Sequence, residues 1–495
     1  MHQFGSVKDK SFLFQEISIM MKSIIFADKL VCSSGGAEKG FVGEKEVCFF
    51  RKGVSEGVAE VPLPSSPPGE WGLRITLKLL AGSAADETAD VFSSEIVCGG
   101  ERIKSAPVQS FVNSKDEEFR FVTLESFLLP LPCRGGKVFI TRRTNDGADT
   151  FQEASALTEV CFEFLPLPAT GIPVETSPGY NSWPMCQTLN EKIVCAYSRG
   201  SQHDIFEPHR AVYARVSDDR GVSWSREHLV CNTPGRGDVT VGKGLDEKGD
   251  MLLFVRHAGD DGFRHRLYRT SDGINFELLC DMELPLDLVQ ITDIFHIPGQ
   301  GLAALCFGGS YGPAADKYWG KLVSSDNGRT WTFTVIEKDL DKNNWPTEPS
   351  AVYIGDGKIL ALARTESHKD STETAHFQLT SPDYGRTWRK ERTNITDVNI
   401  STPSLLYSPE SGEVCCYSFY RGRGILNCRK ADAGYIFDHP RNWFASEIVT
   451  TGSKEVCEAG NVNAVQFGNK HLIAYYSGAL PDTAVYVKIG KVFQE

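Results

Sequence analysis

No apolar run in these 495 residues approaches the roughly 20 that a membrane-spanning helix needs. The opening stretch, MHQFGSVKDKSFLFQEISIMMKSIIFADK, keeps interrupting its apolar residues with Lys, Asp and Glu. It does not read as a signal peptide, and a cytoplasmic location is the default expectation. Positive charge is short as well, with 52 Lys and Arg against 64 Asp and Glu and a formal charge of −12. That balance argues against a nucleic-acid partner, because phosphate binding needs a positive face, although a local basic cleft can sit inside an acidic total. The 14 cysteines contain no CxxC pair and no Cys/His metal spacing, so neither a metal nor a cofactor is expected. Most lie in apolar stretches, as Cys195 does in EKIVCAYS and Cys306 in LAALCFGG, and read as small buried hydrophobes in a reducing compartment.

What is present is apolar material enough for one large core or two domains, at 41% apolar and 23% charged residues. Residues 25 to 165 hold alternating segments such as WGLRITLKLL, EFRFVTLESFLL, GKVFITRR and TEVCFEFLPL, separated by Gly, Pro and Ser. That alternation predicts an N-terminal β-sandwich over residues 1–165. The Pro-rich LPLPATGIPVETSPG at 165 to 179 then serves as a linker or as the first edge strand of a second domain spanning 166–495.

From there the chain is periodic. The pattern Ser-x-Asp-x-Gly-x-x-Trp occurs at Ser217/Asp219/Gly221/Trp224, Ser324/Asp326/Gly328/Trp331 and Ser381/Asp383/Gly385/Trp388. Two worn copies, TSDGINF from Thr270 and KADAGYIF from Lys430, fill the gaps. The starts at 217, 270, 324, 381 and 430 are spaced by 53, 54, 57 and 49 residues, and a period of about 50 is the size of a four-stranded propeller blade. Apolar second strands align six times, as EKIVCAYSR, GDMLLFVRH, GLAALCFGG, GKILALART, GEVCCYSFYR and KHLIAYYSG. The expected fold is therefore all-β, a six-bladed β-propeller preceded by a β-sandwich, the last blade closing with a strand from 166 to 175. The repeated box reads as a fold staple: Asp bonds the backbone of its own turn, Gly takes a positive φ, and Trp packs between strands.

Asp boxes on a six-bladed propeller resemble the sialidase superfamily, over residues 166 to 495. The resemblance implies an arginine triad on the substrate carboxylate, a Tyr nucleophile paired with Glu, and an Asp acid/base. PTEPSAVYIGDGKILALARTE is similar to the family's Glu-Pro and Arg segment, with Glu348 sixteen residues before Arg364. YRGRGILNCRK resembles the segment carrying the third arginine, offering Arg423 first and Arg421 second. Guanidinium groups suit this task because they can grip a carboxylate in bidentate fashion. Arg199 and Arg256 end their second strands as Arg364 does and join it as substrate-binding candidates, although a structural salt bridge explains such an arginine equally well.

Two positions depart from the family. Ser182 in NSWPMCQTL stands where the first triad arginine belongs, and Asn461 or Val462 in EAGNVNAVQF stands where the Tyr belongs. The loop YSRGSQHDIFEPHR packs Arg199, His203, Asp204, Glu207, His209 and Arg210 close together, and His203, Asp204 and Glu207 compete there as catalytic groups. Keeping Glu and two Arg while losing Tyr and the first Arg is more similar to phage tailspike endosialidases than to exosialidases. Without a nucleophile, water attacks directly, with Glu348 as base and His203 or Asp204 as acid. Tyr311, Tyr318 and Trp319 in GGSYGPAADKYWG suit a sugar-stacking wall or rim packing alike. The expected partner is an acidic glycan, with no membrane. A non-catalytic carbohydrate-binding propeller, or a hydrolase or lyase of another acidic glycan, accounts for the same residues. The sequons at Asn394 and Asn399 matter only in a secreted protein.

Overall fold

The computed structural model describes residues 21–491 apart from 33–35, 51–55, 67–70, 81–90, 106, 110–118, 130–134, 144–154, 168–170, 313–315 and 367–374. The opening segment read for a signal peptide thus lies largely outside the described residues. Almost all regular structure is strand. The exceptions are a short turn of 3-10 helix at Ala27–Lys29 and one helix at Ala433–Asp438.

Two six-stranded sheets come first. One runs Phe119–Leu128, Trp71–Leu80, Ser155–Pro166, Lys45–Phe50 and Ala37–Val42, with Met21–Phe26 paired to Ser155–Pro166. The other runs Val31–Cys32, Glu56–Pro62, Lys137–Arg143, Val91–Cys98 and Glu101–Lys104, with Val108–Gln109 paired to Val91–Cys98. Alternation decides which face turns inward: Leu73, Ile75, Leu77 and Leu79 are buried and share one core with Phe92, Ile96, Ile140, Phe162 and Phe164. Cys98 is held in a disulfide, an exception to the reading of most cysteines as small buried hydrophobes in a reducing compartment. Cys195 and Cys306 are free and buried as expected, whereas Cys457 is free and exposed.

The rest of the chain builds antiparallel groups of four strands, four of them separate sheets and the first and last joined by one parallel bridge into an eight-stranded sheet. Their innermost strands are Tyr180–Leu189, Gly237–Leu245, Leu288–Ile297, Pro346–Gly355, Ser404–Ser408 and Ala459–Phe467. Each packs against the next, and the last returns to the first, which closes a propeller ring. Second strands such as Met251–Gly259 and Lys358–Thr365 are buried on both faces between neighbouring sheets. That double burial is why they read as unbroken apolar runs.

Closure uses the early strand foreseen by the sequence. Ile172–Glu175 pairs with Asp482–Lys491 and so completes the last sheet. Tyr180 bridges to Thr483, while Asn181 Nδ2 donates to Thr483 O at 2.8 Å and Thr483 Oγ1 donates to Asn181 O at 2.7 Å. Glu175 locks the seam by accepting from Tyr197 OH at 2.9 Å and Arg215 Nε at 3.0 Å. Burial pushes its carboxyl up, but hydrogen bonds from Ser177, Arg215 and Tyr197 win and hold it at about 2.

The repeated turns share one geometry. Ser324 Oγ donates to Asp326 Oδ1 at 2.8 Å, and Asp326 accepts from Thr330 N at 2.9 Å; Ser217/Asp219 and Ser381/Asp383 do the same. Gly273 and Gly328 have φ of 75° and 89° and press on the preceding sheet, where a Cβ on Gly273 would meet Val194 at 2.4 Å. The worn copy from Lys430 is different: Asp432 caps the helix Ala433–Asp438 by accepting from Tyr435 N. Its Asp and Gly belong to a helix start. Asn394 is buried and donates to Pro107 O and Trp443 O, so that sequon is a strut between the two parts of the chain.

Candidate active site

At one end of the ring axis, strand irregularity aims side chains inward. The innermost strands bulge between Ser182 and Met185, between Thr347 and Ser350, and between Gly460 and Asn463. Each bulge holds a non-glycine residue in the left-handed region: Trp183 at φ 51°, Glu348 at 46° and Asn461 at 42°. Such backbone is costly and persists where the surrounding structure over-determines it, commonly at functional sites. Glu348 and Asn461 line an axial cavity of about 30 Å³ together with Gln290 and Thr402.

Glu348 accepts from Arg364 Nη1 at 2.8 Å and Thr402 Oγ1 at 2.7 Å. Arg364 turns its other edge to Glu366, with Nε donating at 3.1 Å and Nη2 bonding the same oxygen. Burial opposes the Arg364 charge, but Glu348 and Glu366 outweigh it and raise its proton affinity. Arg421 is buried differently. Its Nε donates to Ala459 O at 2.9 Å, Nη1 to Ile400 O at 3.3 Å and Nη2 to Asn461 Oδ1 at 3.1 Å. Among the described residues it has no carboxylate partner. Arg256 resembles it, 4% exposed, with Nη1 on Val289 O and Gln290 Oε1 and Nε without a partner. Burial depresses its proton affinity, against the pull of Tyr311 and Glu348.

His203 reaches this chamber from the 199–210 loop. Its Nδ1 lies 2.6 Å from Tyr180 OH and 3.1 Å from Cys457 O, and its ring stands edge-on to Tyr180 and Trp183. Its side chain keeps a solvent-exposed edge, yet the protein packed around the rest of the ring and the charges of Arg421, Arg210 and Arg364 lower its pKa, to about 4. In the unliganded protein it is a neutral imidazole at pH 7, poorly placed to give up a proton. Tyr311 stands edge-on to Trp345 and is 45% exposed.

Several sequence candidates fall elsewhere. Arg423 bonds Glu101 Oε2 and Arg102 O of the N-terminal sheets at 3.2 Å each, whereas Arg421, the second choice, lies against Asn461 of the axial cavity. Arg199 is tied to Asn181, Glu227 and Glu175 at the ring seam. Trp319 is 1% exposed, donates to Glu337 and abuts Trp388, which makes it core and no stacking wall. Tyr318 donates to Asp287. Glu207 accepts from Ser201 N and Arg210, and Asp204 from Phe206 N, so both chiefly shape their own loop.

Arg210, named from the sequence only as a member of the loop cluster, reaches the first bulge. It is fully buried, donates to Ser182 Oγ at 3.3 Å and Asp204 O at 3.0 Å, and lies 4.7 Å over the Trp183 ring. A guanidinium therefore does stand at Ser182, delivered by a loop. The two departures from the family pattern, Ser182 and Asn461, are each the hydrogen-bond partner of a buried arginine. Among the described residues no three His, Cys, Asp or Glu side chains cluster in a way that could hold a metal.

Known structures bear out the fold. A protein of unknown function from Dyadobacter fermentans aligns with 66% of this chain and 99% of its own, at 17% identity and a TM-score of 0.53. The phage phi92 endosialidase aligns over 66% of this chain and 70% of its own, at 12% identity and a TM-score of 0.50. At these identities the likeness is one of fold alone. No family model matches the sequence, and no curated protein matches it either.

Proposed function

We propose that this chain is a sialidase-like glycoside hydrolase, a six-bladed β-propeller over 166–495 behind an N-terminal β-sandwich over 1–165. Its substrate is sialic acid or a related acidic sugar. The observation that carries the reading is Arg421: a buried guanidinium, held by two backbone carbonyls and Asn461, with no carboxylate partner among the described residues. Burying such a charge is expensive unless an anion answers it, and a sugar carboxylate does. Arg256 adds a second buried cation that lacks a carboxylate partner among the described residues, and Arg364 links the group to Glu348. The fold shared with the phage phi92 endosialidase adds support.

With Asn461 where the family has Tyr, the reaction runs by direct displacement. Glu348 takes a proton from water as the water oxygen bonds the anomeric carbon. The glycosidic C–O bond breaks, and His203 supplies the proton to the departing oxygen. His203 first has to be charged. A carboxylate seated on Arg421 and Arg364 offsets the cations that depress it, so an acidic substrate charges its own acid. Positive charge growing at the anomeric carbon is met by Glu348 while it is still a carboxylate, before the proton transfer from water is complete.

Turnover of a fluorogenic sialoside and of polysialic acid, compared between the wild type and Glu348→Gln, tests this. Hydrolysis of either that disappears in the variant supports it; binding without turnover by the wild type leaves a carbohydrate-binding propeller. That second reading is favoured by Glu366, which already occupies the Nε edge of Arg364.

A further inference from the structure

Where the N-terminal sheets meet the ring lies a cleft of about 490 Å³, built from residues other than those of the axial cavity. One wall is the outer face of the first N-terminal sheet, presenting Arg74, Thr76, Phe121, Thr123 and Glu163; the other is the ring segment Phe444 to Glu447. A second hollow of about 320 Å³ continues past Phe444 and Glu447 to Glu413 and Lys430. The walls are pinned to each other. Asn394 donates to Pro107 O at 2.8 Å, Arg423 bonds Glu101 Oε2 at 3.2 Å, and a Cβ on Gly72 would meet Ile448 at 3.2 Å.

Two features of the lining call for a ligand. Phe121 is 62% exposed and Phe444 49%, so one large ring from each wall faces solvent at the cleft. Single exposed rings are ordinary; two that line opposite walls of one concave junction are not. Arg74, in turn, lies 3.8 Å from Glu163 and 4.0 Å from Glu447, too far for hydrogen bonds. These are loose ion pairs, as is that of Glu163 with Lys22 Nζ at 3.6 Å, so both donors and acceptors keep hydrogen-bonding capacity for a ligand.

We infer that this cleft binds a neutral oligosaccharide, with Phe121 and Phe444 as stacking platforms and Arg74, Glu163 and Glu447 as the hydroxyl-binding groups. A pyranose presents polarised C–H groups on its face, which suit the negative face of a phenyl ring, and hydroxyls at its edge that both donate and accept. The charges exclude an acidic sugar: Glu163, Glu413 and Glu447 outnumber Arg74 and Lys430. A cleft of this volume falls in the range of small-ligand sites, about 300 to 1,000 Å³, and has room for more than one sugar ring. The inference stands whether or not the axial site is a sialidase, since it shares no residue with it. If both hold, the cleft retains neutral portions of the glycan whose acidic units enter the axis.

Affinity electrophoresis of the full chain through gels containing neutral polysaccharides (galactomannan, β-glucan, arabinan) or polysialic acid tests it. The expected result is retardation by at least one neutral polymer, weakened tenfold or more in Phe121→Ala and in Phe444→Ala and unchanged in Arg421→Ala. Both phenylalanines are exposed, and thermal melting checks that the variants fold; should Phe444→Ala melt early, Phe121→Ala decides. Failure of every neutral polymer to retard the wild type overturns the inference. So does retardation that both phenylalanine variants retain, or retardation by polysialic acid alone.

Discussion

Arg421 donates from Nη2 to Asn461 Oδ1 at 3.1 Å, so the side chain standing where a sialidase has its tyrosine positions an arginine. An amide can hold a guanidinium in place without neutralising it, and the charge stays available to a ligand. Arg421→Ala is therefore expected to weaken binding of an acidic sugar by about 2 to 3 kcal/mol, the worth of charged hydrogen bonds. Arg421→Lys should recover only part of that, since an ammonium lacks the planar fork. Arg423→Ala, which removes a half-exposed contact to Glu101, should leave binding untouched. Calorimetric titration with free sialic acid measures all three.

Glu348 accepts from Arg364 and Thr402 and sits at a left-handed bulge before Pro349. Glu348→Gln keeps the shape and removes the proton acceptor. The expected loss in kcat is about 10² to 10⁴, the usual contribution of a general base, with ligand affinity within a few-fold of wild type. Equal losses in kcat and affinity would point to a binding role alone. Steady-state kinetics beside direct titration separates the two.

The sequence carried the ring well and the site unevenly, for a physical reason. Second strands buried on both faces had to be apolar runs, and turn residues had to repeat because each closes the same hairpin, so period and strand order were legible. Glu348 and Arg364 were legible too, because neighbouring paired strands fix their spacing. Arg421 and Arg423 were not separable by spacing alone: two residues apart in a Gly-rich turn, one folds back to Ala459 and the other reaches out to Glu101. Arg210 was invisible as a partner of Ser182, because a loop's reach is set by contacts such as Arg210 to Asp204 O that no periodicity encodes.

His203 gives the site a pH dependence whose sign follows from its surroundings. Its folded pKa of about 4 lies below the ordinary 6.5, as do those of His265 and His376 at about 3 and His471 at about 4. Below pH 6.5 the unfolded chain takes up protons that the folded chain refuses. These histidines therefore contribute stability that is complete above pH 6.5 and lost progressively as pH falls toward 3 to 4. Urea midpoints should drop between pH 6.5 and 4, chiefly through the buried His265, His376 and His471, with only a small part from the more exposed His203. An acidic ligand reverses the shift at His203 alone, so its binding near pH 5.5 should take up a proton, and His203→Gln should abolish that uptake. Titration in buffers of different ionisation enthalpy reads it directly.

The repeated turns yield a stability prediction independent of any ligand. Gly273 combines a φ of 75° with a Cβ position 2.4 Å from Val194 Cγ2 and 2.9 Å from Val216 Cγ2, both on the preceding sheet. Gly249 has a similar φ of 84°, but nothing lies within 4 Å of its Cβ position. Alanine at either site meets the same backbone penalty, of about 1 kcal/mol or somewhat more, whereas only at Gly273 must it also displace a packed wall. Gly273→Ala should thus cost about 2 to 4 kcal/mol, and Gly249→Ala no more than about half of that. Equilibrium denaturation of the two variants checks the difference. If they match, the glycine of the repeat is there for its φ alone, and its contact with the neighbouring sheet contributes nothing to holding the ring together.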